Sequence, residues 1–384
     1  MTGPPRLADV QAVLDALYDP RWAQDWDAVG IVTGDPEQEV RRVLLAVDPV
    51  EAVMDEASEW GADLLVTHHP LLLRGVHGVA TTHPKGRAVT RLVRQGLALV
   101  VAHTNADVAS PGVSDALARA VGLSGLRPLR PTAEEPPLKL VTFVPHEHTD
   151  RLVDALAAAG AGRIGAYERC AWTSEGTGTF TAREGAHPAV GDVGTVERVA
   201  ETRVEMVVHP ARRTAVVAAL RAAHPYEEPA YDLLVTATRS GDRGLGRVGE
   251  LSEPESLRAF AQRVSGGLPA TAAGVRVAGD LDAPVRTVAV CGGAGDDLFD
   301  DARSAGADVY VTADLRHHPA SESLAHGRPA LVDCSHWATE WPWLADAERL
   351  LRDGLEAQGA TVETRVSRIV TDPWTARAPE DPRT

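Results

Sequence analysis

Val66-Thr67-His68-His69-Pro70 is the stretch that decides how this 384-residue chain is interpreted. It follows a short apolar run, residues 64–66, which comes after a helix-like segment ending at Gly61. An apolar run bounded by turn signals is typical of a buried strand, most often in a parallel sheet. Two adjacent histidines at the end of such a strand point in roughly opposite directions. A closed apolar core gives no reason for this arrangement, whereas a site at the edge of a sheet does. Because ligands of open α/β sheets bind beyond the carboxyl ends of the strands, we expect a site here.

Two further apolar runs end in a histidine that is followed four residues later by a carboxylate. Residues 97–102 lead into His103 and Asp107, and residues 329–335 lead into His336 and Glu340. Neutral imidazoles with carboxylates suit zinc, iron, manganese and similar divalent ions. Five of these six side chains would be too many ligands for one tetrahedral ion with an open position. They suit two ions that share a carboxylate and leave room for water.

Other interpretations of the same residues stay open at this point. His68 and His69 are also explained as a pair of turn histidines. Asp107 and Glu340 are also explained as acids in the first turn of a helix, where they favour the helix dipole and cap its N-terminus. Pro342 predicts a helix that starts near residue 339 or 340, so capping and metal binding compete there.

Composition excludes several classes of partner. The chain has 38 basic and 54 acidic side chains, a net charge of −16, and aromatic residues make up only 4%. Phosphate backbones and anionic lipids would repel such a protein, so we expect neither nucleic acid nor membrane as a partner. Three scattered cysteines indicate no disulfide framework. The N-terminus lacks the apolar region of a signal peptide, so we expect a cytoplasmic protein.

The order of predicted elements indicates three parts. Strands alternate with helices over residues 1–130 and again over 246–376, which favours α/β halves with mainly parallel sheets. Residues 131–245 have the order β-α-β-β-α-β, which predicts an inserted ferredoxin-like module. A proline-rich linker, residues 127–137, and a glycine-rich connector, residues 240–246, are predicted to bound it. We expect the charged, proline-containing tail, residues 377–384, to be disordered.

The two α/β halves resemble each other in sequence. Residues 61–70 and residues 306–312 share the pattern Gly-Ala-Asp followed by an apolar run and threonine, and the second copy continues to His317-His318-Pro319. In both halves the next strand ends in a histidine with a carboxylate four residues later. This repetition predicts a duplicated half that faces its copy, with the site built between the two.

Two weaker motifs have more than one explanation. Residues 291–295, Cys-Gly-Gly-Ala-Gly, resemble a phosphate-cradling turn, although a tight turn from strand to helix explains them equally well. Residues 224–232 of the inserted module are explained either by ligand binding or by a rigid entry into a strand.

Four stretches resemble a known family, the NIF-three-like, dinuclear-metal-centre proteins, whose members are called GTP cyclohydrolase 1 type 2 homologues. The stretches are Trp26-Asp-Ala-Val-Gly30, Thr67-His-His-Pro70, His103-Thr-Asn-Ala-Asp107 and His336-Trp-Ala-Thr-Glu340. Within the predicted module, three stretches resemble the PII/CutA-like insertion of the longer bacterial members. These are Gly160-Ala-Gly-Arg-Ile-Gly-Ala-Tyr167, Gly176-Thr-Gly-Thr-Phe180 and His224-Pro-Tyr-Glu-Glu-Pro229. The resemblance spans nearly the whole chain.

The resemblance implies a toroidal homohexamer with two divalent ions per subunit in a central cavity. By position, it implies that the metal ligands are His68, His69, Asp107, His336 and Glu340. His103 and His318 also fall on motif positions, and we assign them a role in catalysis as proton shuttles or substrate contacts. Ala28 and Ala313 depart from the asparagine and glycine usual in the family.

The function that follows is metal-dependent hydrolysis of a nucleotide-like or other small molecule, in which water activated by the ions attacks an electrophilic carbon or phosphorus. Opening of a purine ring, amide hydrolysis and phosphoester hydrolysis all fit this chemistry. A non-enzymatic assembly that handles metal or senses a ligand is the alternative.

Overall fold

The computed structural model describes residues 3–133, 136–237 and 240–378. The chain divides into two compact units. The core unit combines the residues up to Thr132 with those from Asp242 onward, and the inserted unit consists of Ala133–Gly241. Most of the predicted disordered tail, residues 379–384, lies outside the described residues.

Helices and strands are numbered here in chain order. The helices are α1 Leu7–Leu17, α2 Glu51–Trp60, α3 Pro84–Gln95, α4 Thr104–Val108, α5 Val113–Ala120, α6 Thr149–Ala158, α7 Arg213–Ala223, α8 Leu257–Gly267, α9 Phe299–Ser304, α10 His317–Ala325, α11 His336–Glu340 and α12 Trp343–Ala357. The strands are β1 Gly30–Thr33, β2 Arg42–Ala46, β3 Leu64–Thr67, β4 Ala98–Val101, β5 Ser124–Ala133, β6 Leu138–Pro145, β7 Ala171–Thr181, β8 Val196–Val208, β9 Tyr231–Val235, β10 Ser240–Ser256, β11 Arg276–Ala278, β12 Pro284–Ala294, β13 Val309–Ala313, β14 Ala330–Cys334 and β15 Glu363–Val366.

The core unit contains two sheets with the same central topology. The first has the strand order β1-β4-β3-β2-β15, and the second has the order β11-β14-β13-β12-β10-β5. In the first sheet β4, β3, β2 and β15 are parallel, and β1 is an antiparallel edge. In the second sheet β14, β13 and β12 are parallel, and β11 is again antiparallel to its neighbour. The predicted α/β fold with two similar halves and mainly parallel sheets is therefore confirmed.

The two sheets exchange strands across the predicted boundaries. The strand β15, near the C-terminus, pairs in parallel with β2 of the first sheet. The strand β5, from the N-terminal half of the chain, lies at the edge of the second sheet. Each sheet therefore contains strands from both halves of the sequence.

Side chains of the central strands alternate between the two faces of each sheet, and both faces are covered by apolar clusters. Leu45 on β2 and Val288 on β12 belong to one continuous cluster that also contains apolar residues of α1, α5, α8 and α12. Leu44 packs on the opposite face of the first sheet with residues of α2 and α3, and Tyr310 packs with α9 and α10 on the opposite face of the second. Strands buried on both faces require near-continuous apolar runs, as in residues 64–66.

The inserted unit has the element order β6-α6-β7-β8-α7-β9 and one sheet of order β7-β8-β6-β9. The pairs β6–β8, β6–β9 and β7–β8 are antiparallel. Leu152 of α6 and Leu220 of α7 pack against sheet residues such as Leu140 in a separate apolar cluster. The ferredoxin-like, PII/CutA-like classification of this unit stays a prediction.

The predicted linker and connector are wrong for most of their length, because residues 127–133 lie in β5 and residues 240–246 lie in β10. Pro128 and Pro131 lie in β5, where prolines are tolerated because an edge strand needs no hydrogen bond on its outer side. The glycine-rich stretch begins the long strand β10. A Cβ atom at Gly244 would lie 2.2 Å from the carbonyl oxygen of Arg130, so glycine allows the two strands to approach. Among the described residues, no helix combines the length and the apolar character needed to cross a lipid bilayer.

Candidate metal centre

The sequence-predicted side chains converge where strands of both sheets end. His68 and His69 follow β3, and His103 follows β4. Asp107 lies one turn further, on α4, and the histidine and carboxylate of α11 follow β14 of the second sheet. The two halves of the core unit thus contribute to one site, as the internal repetition predicted.

The short helix α11 presents its first and last residues to the same place. His336 and Glu340 are four residues apart and lie on one helix face, with His336 Nε2 2.9 Å from Glu340 Oε1. The predicted helix start near residue 339 or 340 is wrong, because Pro342 precedes a second helix, α12, and leaves this single turn before it. Glu340 therefore ends α11, which excludes a role as its N-cap. Asp107 likewise makes no capping hydrogen bond in α4.

The carboxylate of Glu340 lies at the centre of the cluster. The residue is only 2% exposed. Besides its contact with His336, its Oε1 atom lies 3.5 Å from His68 Nε2, and its Oε2 atom lies 3.2 Å from His69 Nε2. His68 Nε2 is also 3.7 Å from Asp107 Oδ1. Ligand atoms bound at about 2.1 Å to a tetrahedral ion lie about 3.4 Å apart, so these separations fit metal coordination.

Each imidazole is oriented by its other nitrogen. The Nδ1 atom of His69 lies 2.7 Å from Asp48, that of His336 lies 2.7 Å from Asp314, and that of His103 lies 2.8 Å from Asp27. The Nδ1 atom of His68 donates to the carbonyl oxygen of Ala102 at 2.9 Å, which leaves its Nε2 as the unprotonated nitrogen of the neutral ring. Carboxylates behind metal-binding histidines fix the tautomer and raise the basicity of the ligand.

The three supporting aspartates were missed by the sequence reasoning. Asp27 lies in the quoted stretch 26–30, Asp48 follows β2, and Asp314 follows β13. A usable signal exists for Asp314, because in the internal repetition it occupies the position of His69. Asp314 adopts a left-handed backbone conformation with φ of 57°.

Within the cluster, two buried side-chain atoms have no hydrogen-bond partner among the described residues. They are His68 Nε2 and Glu340 Oε2. Leaving a buried polar atom unsatisfied costs about 1–3 kcal/mol, and more for a charged group. Both atoms point into the cluster, so bound cations would satisfy them. The donor set of imidazoles and carboxylates fits zinc, iron or manganese.

The electrostatics of the cluster favour positive charge. Burial lowers the pKa of His69 and of His336, but the negative charge of Glu340 and the aspartate partners raises them to about 11 and about 10 respectively. Burial raises the pKa of Glu340, but the surrounding histidines bring it well below its usual value. Burial raises the pKa of Asp107. Without metal, the cluster therefore holds protons that divalent ions would replace.

His103 lies close enough to the cluster to be a metal ligand, which goes beyond its predicted role as a proton shuttle or substrate contact. Its ligand atom and those of His68 and His69 all lie within 4.8 Å of one another, and a second such group consists of His69, His336 and Glu340. His103 can therefore bind metal directly. His318, by contrast, is exposed near the start of α10 and belongs to neither group of described residues. Its catalytic role stays a prediction.

The glycines of residues 291–295 allow a strand to approach the cluster. Residues 291–294 do not form a phosphate-cradling turn, since β12 continues to Ala294. A Cβ atom at Gly293 would lie 2.6 Å from Glu340 Oε1 and 3.1 Å from His336 Nε2. The backbone nitrogen of Gly293 donates to Thr339 Oγ1 at 2.9 Å, which ties the strand to α11.

A cavity of about 710 Å³ opens beside the cluster. His69 and His336 lie in its wall, and residues 371–374 form another part of the lining. The volume is that of a site for a small organic molecule. Four aspartates also line it: Asp48, Asp314, Asp333 and Asp372.

The chain is similar to known proteins over nearly its whole length. The sequence model described as Duf34/NIF3 (NGG1p interacting factor 3) matches residues 5–373. The chain is 53% identical over 370 residues to a Mycobacterium tuberculosis protein named GTP cyclohydrolase 1 type 2 homolog, with 96% of each chain covered. A Streptomyces coelicolor protein of the same name is 41% identical over 378 residues, which cover 98% of this chain and 96% of that one.

Solved structures are similar over the same length. A Bacillus cereus protein related to NIF3 is 37% identical, with a TM-score of 0.79, over 97% of this chain and 99% of that one. A Staphylococcus aureus protein is 27% identical, with a TM-score of 0.84 and the same coverage. The likeness therefore includes both the core unit and the inserted unit.

Proposed function

This chain belongs to the Duf34/NIF3 family, and from that premise we propose that it binds two divalent metal ions and uses them to hydrolyse a small, nucleotide-like molecule. The observation that carries the proposal is the position of one buried carboxylate. Glu340 lies within 3.5 Å of the Nε2 atoms of His68, His69 and His336, and each of these rings is held in place by a hydrogen bond at Nδ1.

The ligands divide into two sets that share Glu340. His68 Nε2 lies 3.7 Å from Asp107 Oδ1, and these two side chains would hold one ion, with His103 within reach. His69 and His336 would hold the other ion together with Glu340. A carboxylate shared in this way is what a pair of ions requires if both are to keep open positions for water.

Bound divalent ions would supply Lewis acidity and lower the pKa of water from ~15.7 towards roughly 7. The protein's own contribution is to orient and to move protons. The carboxylate of Asp27 fixes the His103 ring, and this contact holds the pKa of Asp27 below its usual range despite burial. A ring fixed in this way can accept a proton at Nε2 and pass it on when that nitrogen does not bind an ion.

The substrate class rests on the relatives. Proteins at 53% and 41% identity are named GTP cyclohydrolase 1 type 2 homologs, and opening of a purine ring releases formate, which is readily measured. We also propose the homohexamer that the family resemblance implies. Light scattering of the purified protein tests it directly.

A second candidate function has one observation in its favour. Four aspartates line the cavity against two arginines, Arg276 and Arg377, and Arg276 donates to Asp333, so the lining has a net negative charge and would repel a polyphosphate unless bound ions neutralise it. This lining suits a protein that takes up and delivers metal cations. The alternative is therefore a non-enzymatic metal-handling assembly.

Elemental analysis of gently purified protein tests both candidates together. We expect about two divalent ions per chain, loss of metal in Glu340→Gln, and no loss in Glu322→Gln, which changes an exposed glutamate on α10. Metal-dependent formate release from GTP supports the hydrolase. Metal binding without formate release across zinc, iron and manganese supports metal handling. Less than about half an ion per chain after reconstitution contradicts both.

A further inference from the structure

The inserted unit contains a cavity of its own, about 630 Å³ in volume. Its lining comes from the β7–β8 hairpin, from the loop at residues 182–189 and from residues 226–230 before β9. All of these residues belong to the inserted unit. A volume of this size accommodates a small organic molecule.

Aromatic rings form part of the cavity wall. Phe143, Phe180 and Tyr226 all line it. The rings of Phe180 and Tyr226 are 6.3 Å apart between centroids and tilted by 58°. Such a wall offers both apolar contact and the negative faces of π-systems, which attract cations.

A buried carboxylate is the main polar group in this wall. Glu201 is 9% exposed, and its Oε1 atom accepts a hydrogen bond of 2.7 Å from the hydroxyl group of Tyr226. Its Oε2 atom makes no hydrogen bond with any described residue. Burial and the contact with Glu201 raise the pKa of Tyr226, so its phenol stays a neutral donor.

The carboxylate occupies a space that a glycine provides. Gly178, on the neighbouring strand, also lines the cavity. A Cβ atom at this position would lie 2.0 Å from Glu201 Oε2. The Gly-Thr-Gly-Thr-Phe stretch therefore has a structural reason, since any side chain at residue 178 would displace the glutamate.

The charges around the cavity are predominantly negative. Glu175, Glu227 and Glu228 line it together with Glu201. Arg203 is the one arginine or lysine among the described lining residues, and its Nε donates to Glu205 at 3.0 Å. The guanidinium also lies 5.9 Å from the ring centroid of Phe143. Because its charge is already matched, the cavity disfavours anions.

We propose that this cavity binds a small organic cation: an amine with an aromatic body, its ammonium group on Glu201 and its ring against Phe180 and Tyr226. A charge-assisted hydrogen bond to the free carboxylate oxygen and contact with the π-faces would provide the affinity. The inserted unit is then a binding module for an amine. This inference does not depend on the proposed metal chemistry, because no metal ligand lies in this unit.

Three probes with one ring and different charge test the proposal on the full chain by calorimetric titration. They are tryptamine, which is cationic, tryptophol, which is neutral, and indole-3-acetate, which is anionic. We expect tryptamine to bind at least tenfold more tightly than tryptophol, and indole-3-acetate to bind more weakly still. Equal affinity for the three probes, tighter binding of the anion, or no binding of tryptamine at millimolar concentration overturns the proposal.

Two variants locate the site. Glu201→Gln removes the charge but keeps an oxygen that can accept from Tyr226, so tryptamine should bind about tenfold more weakly while tryptophol is unaffected. Gly178→Ala should weaken tryptamine binding by displacing the carboxylate, and it tests the site even if the first variant fails to fold. Glu168→Gln, an exposed glutamate of the same unit outside the cavity, is the control. Undiminished tryptamine binding in a folded variant at either position overturns the assignment.

Discussion

The Nδ1 atom of His69 lies 2.7 Å from one carboxylate oxygen of Asp48, whose other oxygen accepts a hydrogen bond from the hydroxyl group of Thr371. The C-terminal segment is thus joined to the centre of the cluster through two consecutive hydrogen bonds. Next to it, the hydroxyl group of Ser335, the residue before α11, donates to Asp372 at 2.8 Å. Residues 371–372 therefore hold elements from both sheets at the candidate metal centre.

We expect Asp48→Ala to reduce metal affinity about 10- to 100-fold, because outer carboxylates orient their histidine ligands and raise their basicity. Competition with a chromophoric chelator measures the change. Thr371→Val should have a smaller effect in the same direction, since it leaves the carboxylate in place. Asp55→Asn, an exposed aspartate on α2, is the matched control. Unchanged affinity in folded Asp48→Ala would show that His69 is oriented without this carboxylate.

Gly293→Ala should abolish or strongly reduce metal binding, because the added Cβ would lie 2.6 Å from Glu340 Oε1. Residue 293 also has a φ of 69°, which strains any other side chain. Gly306→Ala separates the two effects, since Gly306 has a φ of 74° but no heavy atom within 4 Å of the added Cβ. Thermal unfolding and metal content of both variants give the comparison. Equal metal content would mean that the close approach of β12 is unimportant for the site.

The free energy of unfolding should change with pH in opposite directions in the metal-free and the metal-loaded protein. The pKa values of His69 and His336 are raised to about 11 and about 10, so both rings hold protons at neutral pH without metal. A histidine whose pKa is higher in the folded than in the unfolded chain stabilises the folded state. This contribution is complete when the pH is below about 6.5, the pKa in the unfolded chain, and it is lost as the pH rises through the pKa values of the folded protein. Metal must displace these protons, so its apparent affinity should rise by about tenfold per pH unit for each proton displaced.

Thermal unfolding between pH 6.5 and 9 checks this expectation. The chelator-treated protein should lose stability as the pH rises. The protein with excess metal should be stabilised increasingly over the same range, because tighter binding to the native state raises its unfolding free energy. Parallel curves for the two forms would contradict proton displacement at these histidines.

The central strands and the convergence of most candidate metal ligands were predictable because their signals are local. The run 64–66 is buried on both sheet faces and ends in the histidine pair, so a few adjacent residues contain the information. The supporting aspartates were not predictable in this way. Asp27 orients His103, a residue 76 positions further along the chain, and only the folded topology brings them together.

The same reason explains why strands lie where a linker and a connector were predicted. Proline at 128 and 131 and glycine at 244 and 246 are breaker signals when only neighbouring residues are considered. Pairing between β5 and β10, which lie more than a hundred residues apart, overrides these local preferences. The start of α11 was not predictable for a different reason. This helix is a single turn before Pro342, and five residues are too few to show a periodic pattern.

Replacing residues 133–241 with a short Gly-Ser-containing turn should leave a folded protein that still binds its ions. The strands β5 and β10 are neighbours in the second sheet, and the backbones of Arg130 and Gly244 already lie in contact, so a hairpin can join them. Loop-closure entropy changes slowly with length, by about 0.6 kcal/mol per doubling, so the shorter connection introduces no large penalty. The ligand residues all lie in the core unit.

Metal content, cooperative unfolding and tryptamine binding of this deletion variant should be compared with those of the full chain. We expect metal to be retained and tryptamine binding to be lost. The candidate metal ligands lie in the core unit, whereas the cavity that contains Glu201 lies in the inserted unit. A variant that unfolds cooperatively yet contains no metal would show that the inserted unit helps to build the site. The chain would then have to be understood as one cooperative unit.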